Sequence, residues 1–516
     1  MSIPKTLRLF LFFLLLGMVS ACALPTLEGR VASQAINKQE AADTKLGRVL
    51  IPALEGQPEL SGVLALDNPM DAFAARMLLI SAAERSIDIQ YYIWRDDITG
   101  KLLLHALHKA AQRGVRVRLL LDDNGISGLD QKLAALNEQP GVEVRLFNPF
   151  PFRTWKQLGF ITDFSRLNKR MHNKSLTVDR LLTIVGGRNI GDEYFGATQG
   201  VAFADLDVLA TGPIVDDMSH DFDRYWNSES AYPVSLLIDR PTQKRVQAIV
   251  EEQATTATIA QAQAYVQAVA QSTFIERLFA GQLNFLWVPV HIVSDDPAKV
   301  LDKAHQAGLL TSRLQAVLNQ PELSVDIVSP YFVPTEQGVE ILAALVRQGV
   351  QVRVLTNSLL ATDVLPVHAG YAKYRVPMLK SGVSLYELRS EQNRTRPKEK
   401  AGLFGSSGTS LHAKTFAIDG KRVFVGSFNF DPRSARLNTE LGFVIESPEM
   451  ARAVAEAFDH GLREYAYQLG LNREQQLIWL EQTPEGMNIL SNEPGAGLWT
   501  RLYVGFLSLL PIEPLL

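Results

Sequence analysis

Beyond residue 60 the apolar and polar positions follow a strand–helix–strand rhythm. Ser86-Ile87-Asp88-Ile89-Gln90-Tyr91-Tyr92-Ile93-Trp94 reads as a strand. Leu102 to Gln112 places apolar residues at helical spacing, and Val115 to Leu121 is a second strand reached through Gly114. That order predicts a sheet with parallel strands. The second half of the chain repeats it. Ser324-Val325-Asp326-Ile327 answers Ser86-Ile87-Asp88-Ile89, Gly349 to Leu355 answers Gly114 to Leu120, and Gly382-Val383 answers Gly141-Val142. Corresponding segments lie roughly 240 residues apart, a period that means two copies of one domain and not a solenoid.

The expected map follows from this duplication. Residues 61–250 and 276–470 are the two α/β domains, each a mixed, largely parallel sheet flanked by helices. Residues 251–275, rich in Ala and Gln, are a helical connector. Residues 22–60 read as a polar tether with little periodicity. Residues 471–516 form a C-terminal extension. Within it, Leu498 to Leu510 carries one charge and suits a helix in a membrane interface, with Trp499 and Tyr503 at headgroup depth. Packing of that segment onto the core is the other reading.

Composition narrows the classes. A chain of 516 residues with 47% hydrophobic and 21% charged residues is globular, and its net charge of −4 gives no global attraction to nucleic acid, so none is expected as a partner. Residues 1–21 form a signal peptide: Lys5 and Arg8 precede an apolar run from Leu9 to Val19, too short for a comfortable membrane span. Val19-Ser20-Ala21-Cys22 resembles the lipobox of bacterial lipoproteins, which implies lipidation at Cys22 and a place in the cell envelope facing the periplasm. Ala23 leaves inner or outer membrane open. An ordinary signal peptide with a chance cysteine is the alternative. Cys22 is the single cysteine, so no internal disulfide or Cys-ligated zinc site can form.

The candidate chemistry is also duplicated. His172-Asn173-Lys174-Ser175-Leu176-Thr177-Val178-Asp179 and His412-Ala413-Lys414-Thr415-Phe416-Ala417-Ile418-Asp419 share His-x-Lys-x-x-x-x-Asp, 240 residues apart. Gly186 and Asn189 follow the first copy, and Gly426 and Asn429 follow the second at the same spacing. Residues two apart on a strand point to one face, so each His projects with its Lys. Asp179-Arg180 and Asp419-Gly420 lie before return strands, and Asp-Gly is a hairpin signal. Those aspartates therefore read either as turn formers or as members of the catalytic set.

Two His and two Lys without metal-ligand spacing suit phosphoryl transfer with no metal and no cofactor. One imidazole attacks phosphorus and the other protonates the leaving oxygen. The lysines hold the non-bridging oxygens. Asn189 and Asn429 offer amide donors, and Gly186-Gly187 and Gly426-Ser427 permit close backbone approach. Asp205 and Glu440 are placed to fix the imidazole tautomers, with surface salt bridges as the alternative. Asp363 and His368, after the Val350 to Leu355 strand, are further pocket candidates. Arg166, Lys169 and Arg170 offer positive charge for anionic headgroups, and Phe147 to Trp155 reads as an acyl-chain entrance or a buried loop. His105 and His108 read as ordinary helix residues.

The paired motifs resemble those of the phospholipase D superfamily over roughly residues 60–470. Tyr91-Tyr92-Ile93-Trp94, Asp163 to Asn168, Gly186 to Asp192 and Gly426 to Ser434 are similar to the bacterial cardiolipin synthases of the C type. The resemblance implies two tandem domains about a pseudo-two-fold axis with one site between them. It also implies His172 as nucleophile, His412 as general acid, and transfer of a phosphatidyl group from phosphatidylethanolamine to phosphatidylglycerol at a membrane. A hydrolytic phospholipase D, a metal-independent nuclease and a non-catalytic lipid-binding lipoprotein are the alternatives.

Overall fold

The computed structural model describes residues 24–196, 202–318, 320–390 and 409–516. The signal peptide and Cys22 lie outside them. The first sheet has nine strands in the spatial order Leu286–Val288, Ser61–Leu66, Asp207–Thr211, Leu182–Gly186, Ser175–Val178, Ser86–Ile93, Arg116–Gly125, Val142–Phe147 and Ala231–Pro233. The second has ten: Val290–Ser294, Leu441–Ile445, Arg422–Gly426, Thr415–Ile418, Ser324–Val328, Gln351–Asn357, Ser384–Leu388, Ala466–Leu471, Leu477–Thr483 and Gly486–Leu490. Eight successive strands of each sheet, Ser61–Leu66 to Ala231–Pro233 and Val290–Ser294 to Ala466–Leu471, correspond one to one, which confirms the duplication.

Both sheets are mixed, but the expected preponderance of parallel pairing is corrected. Only Ser86–Ile93, Arg116–Gly125 and Val142–Phe147, with their counterparts Ser324–Val328, Gln351–Asn357 and Ser384–Leu388, pair in parallel; every other pairing in the two sheets is antiparallel. The helical crossovers account for the parallel part. Ile98–Gln112, capped by Asp97 accepting from the Gly100 amide at 3.0 Å, buries Leu102, Leu103, Ala106 and Leu107 between two such strands. The motif strands Ser175–Val178 and Thr415–Ile418 instead return through tight hairpins to Leu182–Gly186 and Arg422–Gly426, which pair with them antiparallel. Asp179 and Arg180 both have positive φ in the first motif's hairpin, as do Asp419 and Gly420 in the second, the geometry of a two-residue turn that matches strand twist.

Three boundaries move. The expected tether is bound to the first domain, because arginines on its strands need acceptors there. Arg145 donates to the Val31 carbonyl at 2.8 Å and Arg118 to that of Ser33 at 3.1 Å. Arg30 in turn donates to the carbonyls of Asn227, Ser228 and Ala231. Helices Lys38–Ala42 and Lys45–Glu55 follow, capped by Asn37 and Thr44. The connector likewise belongs to the first domain: Tyr265 is buried with its ring 4.8 Å from that of Phe73. The chain crosses at Pro289, since Leu286–Val288 joins the first sheet and Val290–Ser294 the second. The C-terminal extension continues the second sheet with two antiparallel strands.

The domains share a buried cluster that includes Val185, Leu206 and Val208 from the first and Leu411, Ala413 and Val425 from the second. At about 25 cal/mol per Å² of apolar surface, a shared core of this kind makes separation costly. Thr409–Leu411 also pairs in parallel with Ala202–Ala204, so the strand leading into His412 is held by the other domain.

Candidate active site

The two motif strands run side by side with the partner domain's chain. The His172 amide donates to the Thr439 carbonyl at 2.8 Å, and the His412 amide to that of Ala204 at 2.8 Å. Each histidine is thereby tied to the residue just before the other domain's acid. His172 Nδ1 lies 2.9 Å from Glu440 Oε2, and His412 Nδ1 lies 2.6 Å from Asp205 Oδ2. The acids expected to orient the imidazoles do meet them, but crosswise. All four side chains are buried.

Backbone contacts settle the His172 tautomer. Its Nδ1 also lies 3.1 Å from the Ser427 carbonyl, which can only accept, so Nδ1 carries the proton and Nε2 the lone pair. Ser427 Oγ donates to Glu440 at 2.5 Å, fixing that carboxylate from behind. In the first domain the corresponding place is Gly187. A Cβ there would come within 2.1 Å of Asp205 Oδ1. Gly186 and Gly426 are equally tight against the strands that carry the acids: a Cβ would meet Asp207 Oδ1 at 2.1 Å and the Leu441 carbonyl at 2.4 Å. The close approach these glycines permit is therefore between strands, which corrects their expected place at the phosphate.

Lys174 and Lys414 share the buried centre, and each donates to the carbonyl of its own histidine. Lys414 Nζ is also 3.0 Å and 3.2 Å from the two ring nitrogens of His412. Burial, then mutual repulsion, lowers Lys174 to about 7; burial lowers Lys414 to about 8 against the pull of Asp205 and Glu440. Burial and the lysines push His172 well below its ordinary value and His412 to about 4. Burial opposes the Asp205 charge, yet His412, Lys414 and Arg188 hold it at about 2. Burial raises Glu440 to about 7. The centre is crowded with cationic groups that give up protons easily, a setting for an anion.

Around it stand residues the motif did not reveal. Tyr92 meets the His172 ring edge-on at 5.0 Å, and Tyr194 meets His412 the same way at 5.1 Å. Buried Asp207 pairs with Arg76 at 2.8 Å and with Arg188. Asp122 accepts from Arg170 and from the Met171 amide, fixing the backbone just before His172. The second domain uses Asn357 against the Leu411 amide at the same place. The signal for these residues was weak: Asp207 was a lone acid in an apolar strand, Tyr92 was part of a longer similarity without assigned chemistry, and Tyr194 lay just beyond another such stretch.

Several expectations are not brought to the site. Asp179 accepts from the amides of Glu84, Arg85 and Ser86 at 2.7–2.9 Å. Asp419 does the same for Glu322, Leu323 and Ser324. Both lie at the far end of their strands and hold turns, which corrects their place in the catalytic set. Asn189 is fully engaged, accepting from the Ile93 amide and donating to Tyr194 Oη. Asn429 differs, since its buried Oδ1 has no hydrogen-bond partner among the described residues. His368 is bonded to Glu493 and Arg375 in a separate buried network. Asp363 is exposed and accepts from the Tyr331 hydroxyl at 2.8 and 3.0 Å.

Arg166, Lys169 and Arg170 pair with Asp163, Asp302 and Asp122, so their expected role toward anionic headgroups is corrected as well. Phe147 to Trp155 divides: Phe147 and Phe150 are core, while Trp155 is exposed, as are Ile161 and Phe164.

A family model described as "Cardiolipin synthase, PLD-like domain" matches twice, at residues 77–226 and 314–462. The chain is 48% identical to cardiolipin synthase C of Escherichia coli K12 over 92% of its own length and 100% of the relative's. It is 26% identical to cardiolipin synthase 2 of Staphylococcus epidermidis over 74% of the chain and 64% of the relative. Among solved structures, phosphatidylserine synthase of Haemophilus influenzae Rd KW20 has the same fold. Its TM-score is 0.53 at 16% identity, covering 83% of this chain and 92% of that one.

Proposed function

The chain belongs to the cardiolipin synthase family of phospholipase D-like proteins, and on that premise we propose that it transfers a phosphatidyl group from phosphatidylethanolamine to phosphatidylglycerol through a phosphohistidine. The observation that carries the reading is the crosswise pairing of two His–Lys strands with Glu440 and Asp205 in one buried centre.

In the first step His172 Nε2 forms a bond to phosphorus as the bond to the ethanolamine oxygen breaks. His412 gives that oxygen its proton, releasing ethanolamine. In the second step the phosphatidylglycerol hydroxyl passes its proton to His412 and attacks phosphorus. The P–N bond breaks, giving cardiolipin and restoring both imidazoles. The tautomer fixed by the Ser427 carbonyl supports His172 as nucleophile, since its lone pair is at Nε2. The Asp205 charge restores part of the proton affinity of His412, which supports its role as acid. Lys174 and Lys414 would hold the non-bridging oxygens, and Asn429 would add a donor there. The bound phosphodiester anion raises the proton affinity of every nearby cation, so the proton needed at His412 arrives with substrate.

Membrane attachment is part of the same proposal. No helix of the described residues is long and apolar enough to cross a membrane. The helix Leu498–Ser508 instead packs Val504 and Leu507 on Leu359 and Ala369 and presents Trp499, Leu502, Tyr503 and Phe506 outward. Trp499 is 82% exposed and Leu509, just beyond the helix, 83%. Such a face suits the headgroup boundary of a lipid layer. A lipid at Cys22 would add a second anchor and place the enzyme in the cell envelope facing the periplasm.

One assay tests the reaction. The protein is incubated with EDTA in micelles of phosphatidylglycerol, with and without phosphatidylethanolamine, and the lipids are resolved. Cardiolipin with released ethanolamine is expected. Phosphatidic acid alone would establish a hydrolase, and DNA cleavage without lipid turnover would overturn both.

A further inference from the structure

Glu440 reaches across the domain boundary to His172, so the contact depends on where its own backbone stands. That backbone is bracketed by a buried pair outside the motifs. Asp295 follows the strand Val290–Ser294 and lies opposite Glu440, one step beyond the Ser294–Leu441 pair. Its amide donates to the Glu440 carbonyl at 3.0 Å, and its Oδ2 accepts from the Glu440 amide at 2.9 Å. Lys299, in the short helix Pro297–Leu301, donates to the same Oδ2 at 3.0 Å and to the Ser434 carbonyl at 3.0 Å. From the first domain, the Tyr225 hydroxyl donates to the Asp295 carbonyl at 2.9 Å. Asp295, Lys299, Tyr225 and Glu440 are all buried.

Stability alone is a poor reason for such an ion pair, since apolar residues of similar volume often serve a buried position as well. The first domain gives a second reason to look for a function. There Arg188, also buried, donates to the Asp205 carbonyl at 2.5 Å and to those of Leu66 and Asp67 at 2.8 and 2.7 Å. Leu66 ends the strand that corresponds to Val290–Ser294. Phe428 stands where Arg188 would recur. Both halves thus secure the backbone at the acid with a buried cation, but take that cation from different elements. A feature rebuilt from unrelated residues marks a shared requirement.

We propose that Asp295 and Lys299 are positioning residues for the attacking histidine and act through Glu440. As His172 Nε2 attacks phosphorus, positive charge spreads to the Nδ1–H group, and a carboxylate held at hydrogen-bond distance stabilises it. Asp295 sets that distance, and Lys299 keeps Asp295 an acceptor. Both Asp295 oxygens already take backbone amides, those of Leu310 and Glu440. Burial raises the Asp295 carboxyl to about 6 against the pull of Lys299. Without the lysine it takes up a proton and turns a donor toward one of those amides. Both residues stand at one remove from the reacting atoms. The inference rests on the two-histidine reading of the reaction.

The test is a double-mutant cycle on cardiolipin formation in mixed micelles of phosphatidylethanolamine and phosphatidylglycerol. Lys299→Met is expected to lower kcat about tenfold and to leave KM within about twofold. In a Glu440→Gln background the same change is expected to alter kcat by less than about twofold, because the group it acts through is gone. The pair variant Asp295→Asn/Lys299→Met buries no unpaired charge, which guards against a folding defect in the single variant. Its asparagine can accept from only one of the two backbone amides, so it is expected to lose kcat with the same dependence on Glu440. Equal losses in both backgrounds, a loss confined to KM, or wild-type kcat in the folded pair variant overturns the positioning role and leaves phosphatidyl transfer intact. If the wild-type chain makes no cardiolipin, both readings fall.

Discussion

Glu440 belongs to the second domain, but its carboxylate oxygen stands 2.9 Å from Nδ1 of His172 in the first. Asp205 mirrors it against His412. Glu440→Gln and Asp205→Asn are each expected to lower kcat by about 100-fold or more, because an amide can present a donor to Nδ1 and release the tautomer. Steady-state rates on mixed micelles decide this. Wild-type turnover in either variant would remove the crosswise pairing from the mechanism.

The two histidines are expected to fail differently. A phosphatidyl ester of p-nitrophenol has a leaving group that needs no proton. His412→Ala should recover substantial release of p-nitrophenol from that ester, and His172→Ala should not, since it lacks the attacking nitrogen. Acid-labile phosphate on the His412→Ala protein would accompany the recovery. The opposite pattern would exchange the two roles.

Lysine titration makes activity and stability move in opposite directions. Lys174 at about 7 and Lys414 at about 8 lose their protons as pH rises, so kcat/KM should fall on the alkaline side from about pH 7–8. Both folded values lie below the unfolded 10.5. Between about pH 8 and 10 the unfolded chain therefore binds more protons, and thermal stability should rise with pH. In Lys174→Met the rise should be smaller. A Tm that is flat or falling across that window in the wild-type chain would contradict the depressed lysines.

Asp179→Ala and Asp419→Ala are expected to act on stability. Each strips three backbone amides of one charged acceptor, a loss of about 2–3 kcal/mol. Denaturant midpoints should drop while the folded fraction keeps its specific activity. A loss of turnover with an unchanged midpoint would return these residues to the chemistry.

The outward face of Leu498–Ser508 gives a further expectation. Trp499→Ala with Phe506→Ala should weaken binding to phosphatidylglycerol vesicles by about tenfold or more, given the apolar area the two rings would bury. Turnover of a short-chain soluble lipid should not change. Unaltered sedimentation with vesicles would rule this face out as the contact.

Much of the architecture was legible because duplication prints twice: the motif strands, their hairpins and the central parallel strands all recur at a spacing near 240 residues. What was not legible depends on long-range docking. Residues 24–60 look like a tether because many of their anchors are carbonyls, which every residue has; arginines that bind them lie 85 and 114 positions away, and Arg30 in turn reaches a carbonyl 198 positions on. The acids were identified, but no spacing tells that Asp205 serves His412 and not His172. Arg166, Lys169 and Arg170 looked like free positive charge because their acidic partners are dispersed along the chain.

The exchange of acids between domains has an evolutionary corollary. A chain with one such domain could complete the geometry only by meeting its own copy, and its two acids would then be one residue. Joining the copies removes that identity. The backing of the two acids has since diverged, with Ser427 behind Glu440 and Gly187 against Asp205. A symmetric ancestor would have to offer the same imidazole as attacker and as proton donor; fusion lets each half drift toward one task.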